Sequence, residues 1–344
     1  MTSPKLTNQF NEKTALVTGA NSGLGFEAAA QLAETGYGRI ILACRTQAKA
    51  NTAQKALAER VGANPFETLV VELSDIASSQ AASNELIKRG DQIDALLLNA
   101  GMLSGDTMAK SPDGIELSFA SSIIGHHIMT LNLLNAGLLS EGTRVVIAGS
   151  EAARDDLPAM MGFKFYNFVK DTPAAFGNNL HDAMTAFAKG SKPELFNSTQ
   201  YYAVTKVFSS WWAATMARKF GDRISVFAVS PGSNLSTNAA RHAKGIQKFI
   251  FTKIMPLLGA SLGLDQPIAL GAQRYLDVLN GAENAFTNGS SYMSRPKRMV
   301  GPIEEMKHKH FFDIKRQEIA WAVLNELTES AIKEQQIPLD KSAV

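Results

Sequence analysis

The chain has 344 residues, of which 45% are apolar and 19% are charged, and its formal net charge is +2. Such a composition is typical of an ordinary globular protein with a sizeable core. The balanced charge and the lack of a basic stripe argue against a nucleic-acid partner. Since Cys44 is the single cysteine, an internal disulfide and a cysteine-based metal cluster are excluded, and a reducing cytoplasm is the expected location.

The sequence contains no evident membrane segment. The first 13 residues are polar and lack the apolar stretch of a signal peptide. No run of about 18 uninterrupted apolar residues occurs, so we expect no membrane span.

Short apolar runs alternate with helical patterns along most of the chain. The predicted strands cover residues 14–18, 39–44, 67–73, 95–98, 144–148 and 224–229. The predicted helices cover residues 26–35, 47–61, a segment ending at 89, 118–139, 201–220, 268–279 and 313–328. This alternation predicts an α/β fold with a Rossmann-type, doubly wound parallel sheet.

Two regions interrupt the alternation. Residues of about 151–199 form a predicted insertion with some helix of its own, and residues of about 233–265 form an irregular segment. No Pro/Gly/Ser-rich linker divides the chain, so residues 1–344 are expected to form one domain. The aromatic residues of the insertion could either line an apolar pocket or attach the insertion to the body: Phe163, Phe165, Tyr166, Phe168 and Phe176.

A glycine-rich segment follows the first predicted strand and opens the first helix. Helix N-termini offer free N–H groups to anions, and glycines let a pyrophosphate approach the backbone. The alternative is that the glycines only form a tight turn. Cofactor binding is therefore predicted for Gly19, Asn21, Ser22, Gly23, Leu24 and Gly25.

Arg45 stands at the end of the second strand, where NAD-binding proteins carry an acid for the ribose 2′-hydroxyl. A guanidinium instead favours bidentate bonds to a 2′-phosphate, so NADP(H) is the predicted cofactor. The alternative is that Arg45 is an ordinary surface arginine at the start of a helix.

Tyr202 and Lys206 lie four residues apart in a predicted helix, and therefore on one helical face. A nearby ammonium favours phenolate and lowers the tyrosine pKa from about 10. Tyr202 is thus a candidate proton donor and acceptor, and Lys206 could also hold the nicotinamide ribose. Ser150 closes the fifth strand at the edge where ligands bind, and its hydroxyl could stabilise charge on a substrate oxygen. Alternatively, Ser150 only forms a turn.

These motifs together resemble the short-chain dehydrogenase/reductase family, whose glycine motif is T-G-x-x-x-G-x-G. The resemblance covers roughly residues 12–330. Segments near residues 271–273 and 291–302 are similar to the retinol-dehydrogenase-like and protochlorophyllide-reductase-like branches, and the insertion is similar to that of carbonyl-reductase-like members. The resemblance implies further cofactor contacts by Asp75 at the adenine, by Asn99, Ala100 and Gly101 beside the adenosine, and by Pro231 and Gly232 at the nicotinamide.

One residue departs from the family pattern. Ser122 stands where the family carries a fourth catalytic residue, an asparagine that holds a water for proton transfer to the lysine. Serine can bind a water but has less reach. His126 and His127 follow shortly and are interpreted as packed or partly exposed helix residues. No partner ligand spacing appears, so no metal site is expected.

The resemblance implies an NADP(H)-dependent oxidoreductase that reduces a ketone or aldehyde, or oxidises a secondary alcohol, of a bulky apolar small molecule. Two alternatives remain at this point: an NADPH-dependent reductase of a carbon–carbon double bond, and a non-catalytic NADP(H)-binding sensor. In related enzymes the helix with the Tyr/Lys pair often lies at a subunit interface, and coverage of this face by the insertion would give a monomer. The chain is therefore expected to be a monomer or a homodimer.

Overall fold

The computed structural model describes residues 11–157, 165, 169, 175–234, 265–282 and 284–332. The strands within these residues are β1 Asn11–Thr18, β2 Tyr37–Cys44, β3 Phe66–Val70, β4 Ala95–Leu98, β5 Thr143–Ala148, β6 Ile224–Val229, β7 Ser291–Ser294 and β8 Ile303–Glu305. The helices are α1 Gly23–Glu34, α2 Gln47–Val61, α3 Ile76–Arg89, α4 Leu117–Asn135, α5 Leu180–Ala188, α6 Ser198–Phe220, α7 Ile268–Leu279 and α8 Ile314–Thr328.

The described strands form one sheet in the order β3-β2-β1-β4-β5-β6-β7-β8. All neighbours are parallel except β7 and β8, which are antiparallel. The chain moves outward from β1 to β3 and then returns to place β4 on the other side of β1. In such sheets the ligand crevice lies where the winding reverses, beyond the carboxyl ends of the strands. The predicted Rossmann-type, doubly wound sheet is therefore confirmed.

Helices cover both faces of the sheet, which explains the continuous apolar runs of its strands. Leu16 and Leu96 point into the core that contains α4 and α6. Ala15 and Val17 point into the opposite core, which contains α1 and α7. Because successive side chains of a strand face opposite sides, both faces of β1 must be apolar.

The helix α4 is irregular, whereas the sequence predicted one regular helix over residues 118–139. Glu116 accepts a hydrogen bond from the backbone N–H of Phe119 (2.9 Å) and so caps the start of α4. Its second turn, Ala120–Ile124, is π-helical. The helix ends at Asn135, earlier than predicted, shortly before Gly137 adopts a positive φ of 75°.

Among the described residues, α4 is also the one helix that is long and apolar enough to cross a membrane. Its most apolar stretch is 89% buried inside the protein. The packing of α4 within the core accounts for its composition, as it does for the central helices of many globular proteins.

Two further differences from the prediction concern the sheet. The predicted third strand ran to residue 73, but β3 ends at Val70, because its neighbour β2 ends at Cys44 and the last bond joins Val71 N–H to the Cys44 carbonyl (2.9 Å). The strands β7 and β8 were not predicted. They have four and three residues, which is too short for an alternating pattern to be recognised.

The predicted insertion contains the helix α5, whose first turn is capped by Asn179. Phe176 packs on Phe187 of α5 with ring centroids 6.2 Å apart, and Phe165 packs on His310 at 5.1 Å. These two aromatic residues attach the insertion to the body, which is one of the two predicted roles. Phe163, Tyr166 and Phe168 lie outside the described residues, as does most of the predicted irregular segment 233–265.

Candidate active site

The glycine-rich segment forms a tight loop between β1 and α1. Gly19 and Gly23 have positive φ values of 67° and 58°, a conformation that side chains disfavour. A Cβ atom added at Gly25 would lie 2.6 Å from both the Gly19 carbonyl oxygen and the Asn99 amide nitrogen. The loop therefore has no room for side chains at these positions.

The N-terminus of α1 faces this loop without a side-chain cap. Ser22 occupies the capping position but makes no capping hydrogen bond, and the first turn carries no acidic residue. Asn21 precedes it in the turn, and Leu24 packs towards Gly271 of α7. Free N–H groups and the positive end of the helix dipole suit a phosphate. The residues present thus fit the pyrophosphate of a dinucleotide.

Hydrogen bonds join the glycine loop to the end of β4. Asn99 donates to the Thr18 carbonyl oxygen at 3.0 Å, and the Ala100 N–H donates to Thr18 Oγ1 at 3.0 Å. His126 of α4 lies 2.9 Å from the same Thr18 hydroxyl through its Nε2. Burial lowers the pKa of His126 to about 3, so the imidazole is neutral. Asn99 and Ala100 therefore support the start of the glycine loop through Thr18.

Arg45 and Asp75 lie at the other side of the crevice. The Arg45 side chain is 59% exposed, and its Nε lies 3.9 Å from a carboxylate oxygen of Glu72. Asp75 caps α3, because its Oδ1 accepts the Ser78 N–H at 2.8 Å. The structure therefore places Arg45 where it is open to a ligand, and gives Asp75 a capping contact that the sequence analysis did not anticipate.

Ser150, Tyr202 and Lys206 meet beyond the carboxyl end of β5. A side-chain hydrogen bond joins Tyr202 to Ser150. Lys206 donates from Nζ to the carbonyl oxygen of Ala148, the last residue of β5, at 2.7 Å. The same Nζ lies 5.7 Å from the centroid of the Tyr202 ring. The sequence motif on α6 is thus brought against the end of β5.

Burial controls the protonation of this group. It raises the pKa of Tyr202 above its ordinary value, and the hydrogen bond from Ser150 offsets only part of this rise. It also lowers the pKa of Lys206 to about 8. The Lys206 ammonium is directed to the Ala148 carbonyl, and its lowering of the Tyr202 pKa together with a positively charged nicotinamide stays a prediction.

Ser122 completes the predicted site from the π-helical turn of α4. Its hydroxyl is buried and has no hydrogen-bond partner among the described residues. A Cβ atom added at Gly101 would lie 2.9 Å from Ser122 Oγ and 3.7 Å from Lys206 Nζ. Because Gly101 has no side chain, the Ser122 hydroxyl and the Lys206 ammonium both lie beside its Cα atom.

Pro231 and Gly232 follow β6 in a turn that hydrogen bonds from Asn234 stabilise. Gly232 has a positive φ of 75°, and Asn234 donates to the carbonyl oxygens of Pro231 (3.0 Å) and Gly232 (2.9 Å). A Cβ atom added at Gly232 would lie 2.7 Å from the guanidinium of Arg274. Only glycine therefore fits between this turn and α7.

The sequence analysis missed a buried ion pair beneath this turn. Arg274 and Glu151 are 5% and 3% exposed, and their side chains meet at 3.3 Å. Glu151 also accepts hydrogen bonds from the hydroxyls of Ser230 and Ser294. Burial lowers the pKa of Arg274, and Glu151 counters that effect. The pair links the ends of β5, β6 and β7 directly below Ser150. Its only sequence signal is an arginine on the apolar face of α7.

Tyr201, which neighbours Tyr202 in sequence, is a core residue. It is fully buried, and its ring stacks on Phe187 of the insertion with centroids 4.3 Å apart. The insertion thus packs directly against the helix that carries Tyr202.

Several known proteins are similar to this chain. The family model described as short chain dehydrogenase matches residues 13–166. The WW domain-containing oxidoreductase of Drosophila melanogaster is 30% identical over 67% of this chain and 51% of its own length. Retinol dehydrogenase 14 of Mus musculus is 30% identical over 67% of this chain and 63% of its own length. Chloroplastic protochlorophyllide reductase of Chlamydomonas reinhardtii is 28% identical over 70% of this chain and 60% of its own length.

The chain therefore spans between 51% and 63% of these three relatives. A solved structure of an uncharacterised protein from Mycobacterium paratuberculosis superimposes with a TM-score of 0.65 at 20% identity, covering 95% of this chain and 97% of the other. The chain belongs to the short-chain dehydrogenase/reductase family, with relatives in the retinol dehydrogenase and protochlorophyllide reductase branches.

The buried pair yields a stability prediction. Glu151→Gln leaves the Arg274 guanidinium buried without a counter-charge, so the free energy of unfolding should fall by about 3–5 kcal/mol in urea titrations. The matched control is Glu304→Gln, which breaks the exposed pair Arg295–Glu304 (2.6 Å) and should cost less than about 1 kcal/mol. Equal losses in the two variants would show that the buried pair does not support the sheet ends.

Proposed function

We propose that the chain is an NADP(H)-dependent oxidoreductase that interconverts a ketone or aldehyde and the corresponding alcohol. The observation that carries this proposal is the Tyr202–Ser150 hydrogen bond at the carboxyl edge of the sheet, with the Lys206 ammonium one helical turn away. The site faces the crevice in which the glycine loop lies, as a dinucleotide enzyme requires.

The cofactor is proposed to bind along that crevice. The pyrophosphate would lie on Gly19, Gly23 and Gly25 at the N-terminus of α1, where two glycines have positive φ and a Cβ atom at Gly25 would clash with the loop. The exposed Arg45 guanidinium would hold the 2′-phosphate, which favours NADP(H) over NAD(H). When bound, the nicotinamide supplies or accepts a hydride.

Other residues around the crevice are proposed to complete the cofactor site. Asp75 would contact the adenine, the Asn99-Ala100-Gly101 turn would lie beside the adenosine, and Pro231 and Gly232 would flank the nicotinamide. Tyr202 and Lys206 would hold the nicotinamide ribose. Asp75 precedes α3, and the turns at Asn99 and Pro231 follow β4 and β6, whereas Tyr202 and Lys206 lie within α6.

The chain's own residues then handle the proton. The Ser150 hydroxyl would donate a hydrogen bond to the substrate oxygen, and Tyr202 would donate its phenolic proton to that oxygen. Since burial raises the Tyr202 pKa, the phenol is protonated at neutral pH, which suits reduction of the carbonyl. Lys206 would return a proton to Tyr202, and its pKa of about 8 lets it exchange protons near neutrality.

Ser122 is proposed to take part in that proton exchange. Its buried hydroxyl lacks a partner among the described residues and shares the space beside Gly101 with Lys206. A water held there would link Lys206 to the solvent, in the role that asparagine has in the family pattern.

We propose that the substrate is bulky and apolar, because relatives of this chain include retinol dehydrogenases. The relative named protochlorophyllide reductase favours a second candidate, reduction of an activated carbon–carbon double bond. A panel of aldehydes, ketones and enones incubated with NADPH, with products identified by mass and NMR, distinguishes the two reactions.

The proposed location is the cytoplasm, where the buried, lone Cys44 would stay reduced. Cell fractionation tests this location.

Replacement of Tyr202 tests the chemistry. Tyr202→Phe keeps the ring but removes the proton, so turnover should fall by about 100- to 10,000-fold while NADPH binding persists. Turnover is followed by loss of NADPH absorbance. The matched control is Tyr201→Phe, on the same helix but packed against Phe187, which should retain near-normal turnover. Unchanged turnover in Tyr202→Phe would rule out the mechanism. If the wild-type protein turned over no substrate at all, the alternative of a non-catalytic NADP(H)-binding sensor would apply.

Replacement of Arg45 tests the cofactor preference. Arg45→Ala should weaken NADPH binding by about 10- to 100-fold and leave NADH binding nearly unchanged, because only NADPH carries the 2′-phosphate. Fluorescence titration of both cofactors measures the effect. The proposal fails if wild-type protein binds NADH as tightly as NADPH and the variant changes neither affinity.

We propose that the protein is a monomer rather than a homodimer. The helix α8 lies on α6 and α4, where Lys219 pairs with Glu318 at 3.1 Å and His127 bonds to Asn325 at 3.0 Å. These helices are therefore covered within the chain itself. Light scattering during size-exclusion chromatography should give the mass of one chain, whereas a mass of two chains would contradict the assignment.

A further inference from the structure

Three side chains with metal-binding atoms converge outside the site described above. They are Asp155, in the segment that leaves Ser150, and His308 and His310, between β8 and α8. One possible ligand atom of each lies within 4.8 Å of the other two. Two imidazoles and one carboxylate form a donor set suited to Zn²⁺ and related first-row cations, and less suited to Mg²⁺ or Ca²⁺.

The distance between His308 and Asp155 suits two ligands of one ion. Nδ1 of His308 lies 3.4 Å from Oδ1 of Asp155. This is longer than a good hydrogen bond, for which about 2.7–3.2 Å is usual. Two atoms that each lie about 2.0–2.1 Å from a tetrahedral Zn²⁺ are about 3.3 Å apart. The pair therefore needs little movement to share an ion.

The ring of His310 is oriented by the backbone. Its Nε2 lies 2.8 Å from the carbonyl oxygen of Ala153, so the ring donates its proton there and presents Nδ1 as the acceptor. Metal-binding histidines commonly donate their second N–H to a carbonyl in this way. The ring also packs on Phe311, with centroids 4.3 Å apart, and on Phe165.

The segments that carry these ligands are fixed by buried contacts. Arg154 is 1% exposed and donates to the carbonyl oxygens of Arg295 (3.0 Å) and Arg298 (2.6 Å). The carbonyl oxygen of His310 accepts the indole N–H of Trp211 from α6 at 2.7 Å. The residue before Asp155 and the backbone of His310 are therefore held in place before any ion arrives, which reduces the cost of binding.

We propose that Asp155, His308 and His310 form a binding site for a first-row divalent cation, for which Zn²⁺ is the probe. Three protein ligands leave a fourth position for water. The ion would connect the start of the insertion to the segment before α8, and would thereby fasten the insertion to the body of the protein. This site is independent of the proposed oxidoreductase activity.

Calorimetric titration of Zn²⁺ into the full chain tests the proposal, after dialysis against chelator and removal of any histidine tag. Wild-type protein should bind one ion, and its melting temperature should rise with Zn²⁺. Asp155→Asn and His308→Ala should each weaken binding by at least about tenfold. His181→Ala is the matched control, because His181 also pairs with a carboxylate, Glu326 at 2.9 Å, and it should bind Zn²⁺ as wild type does.

A second measurement covers variants that fail to fold. Co²⁺ added to wild-type protein should give the visible absorption of a tetrahedral site, and one equivalent of Zn²⁺ should abolish it. Melting curves in chelator show whether each variant is folded. The proposal is overturned if wild-type protein shows no saturable binding, or if the affinity survives in the His308→Ala/His310→Ala variant. Either result would make the His308–Asp155 contact an ordinary ion pair.

Discussion

The hydrogen bond from Lys206 Nζ to the Ala148 carbonyl oxygen, at 2.7 Å, fixes the position of everything else in the site. A buried ammonium must find an acceptor, and the last carbonyl of a central strand supplies one. The contact docks α6 against the end of β5 in one register. That register sets Tyr202 beside Ser150. It also directs the ammonium away from the phenol, so burial dominates the Tyr202 pKa. The site therefore combines a protonated tyrosine with a lysine whose pKa lies near 8.

The π-helical turn of α4 brings a second group into the same space. A π turn places its side chains differently from a regular helix, and such turns are frequent at functional sites. Here it directs the Ser122 carbonyl oxygen to Nδ1 of His126, at 2.9 Å, while Nε2 of that ring meets Thr18. One neutral imidazole thus connects the start of the glycine loop with the turn that carries Ser122. Because both ring nitrogens are used inside the protein, His126 acts as a structural link between the cofactor side and the Lys206 side.

The doubly wound sheet and most helices were predictable from the sequence because they follow from local pattern. Strands buried on both faces read as apolar runs, and β4, β6, α2 and α7 have the predicted bounds. The glycine loop was recognisable because positive φ and close approach admit few residue types. The pair Glu151–Arg274 and the cluster of Asp155 with His308 and His310 were not predictable, since each joins residues far apart in sequence. The direction of the Lys206 ammonium was not predictable either, because helical spacing shows that Lys206 is near Tyr202 but not where its ammonium points.

The Glu151–Arg274 pair connects the stability of the sheet to the chemistry at its edge. Glu151 follows Ser150 directly, and its charge raises the Tyr202 pKa further, whereas Arg274 compensates that charge from the other side. A lone carboxylate at this position would be costly to bury, and a lone guanidinium equally so. Together they hold the turn at Gly232 against α7. The fold can therefore carry a negative charge next to Ser150, and that charge favours the form of Tyr202 that donates a proton.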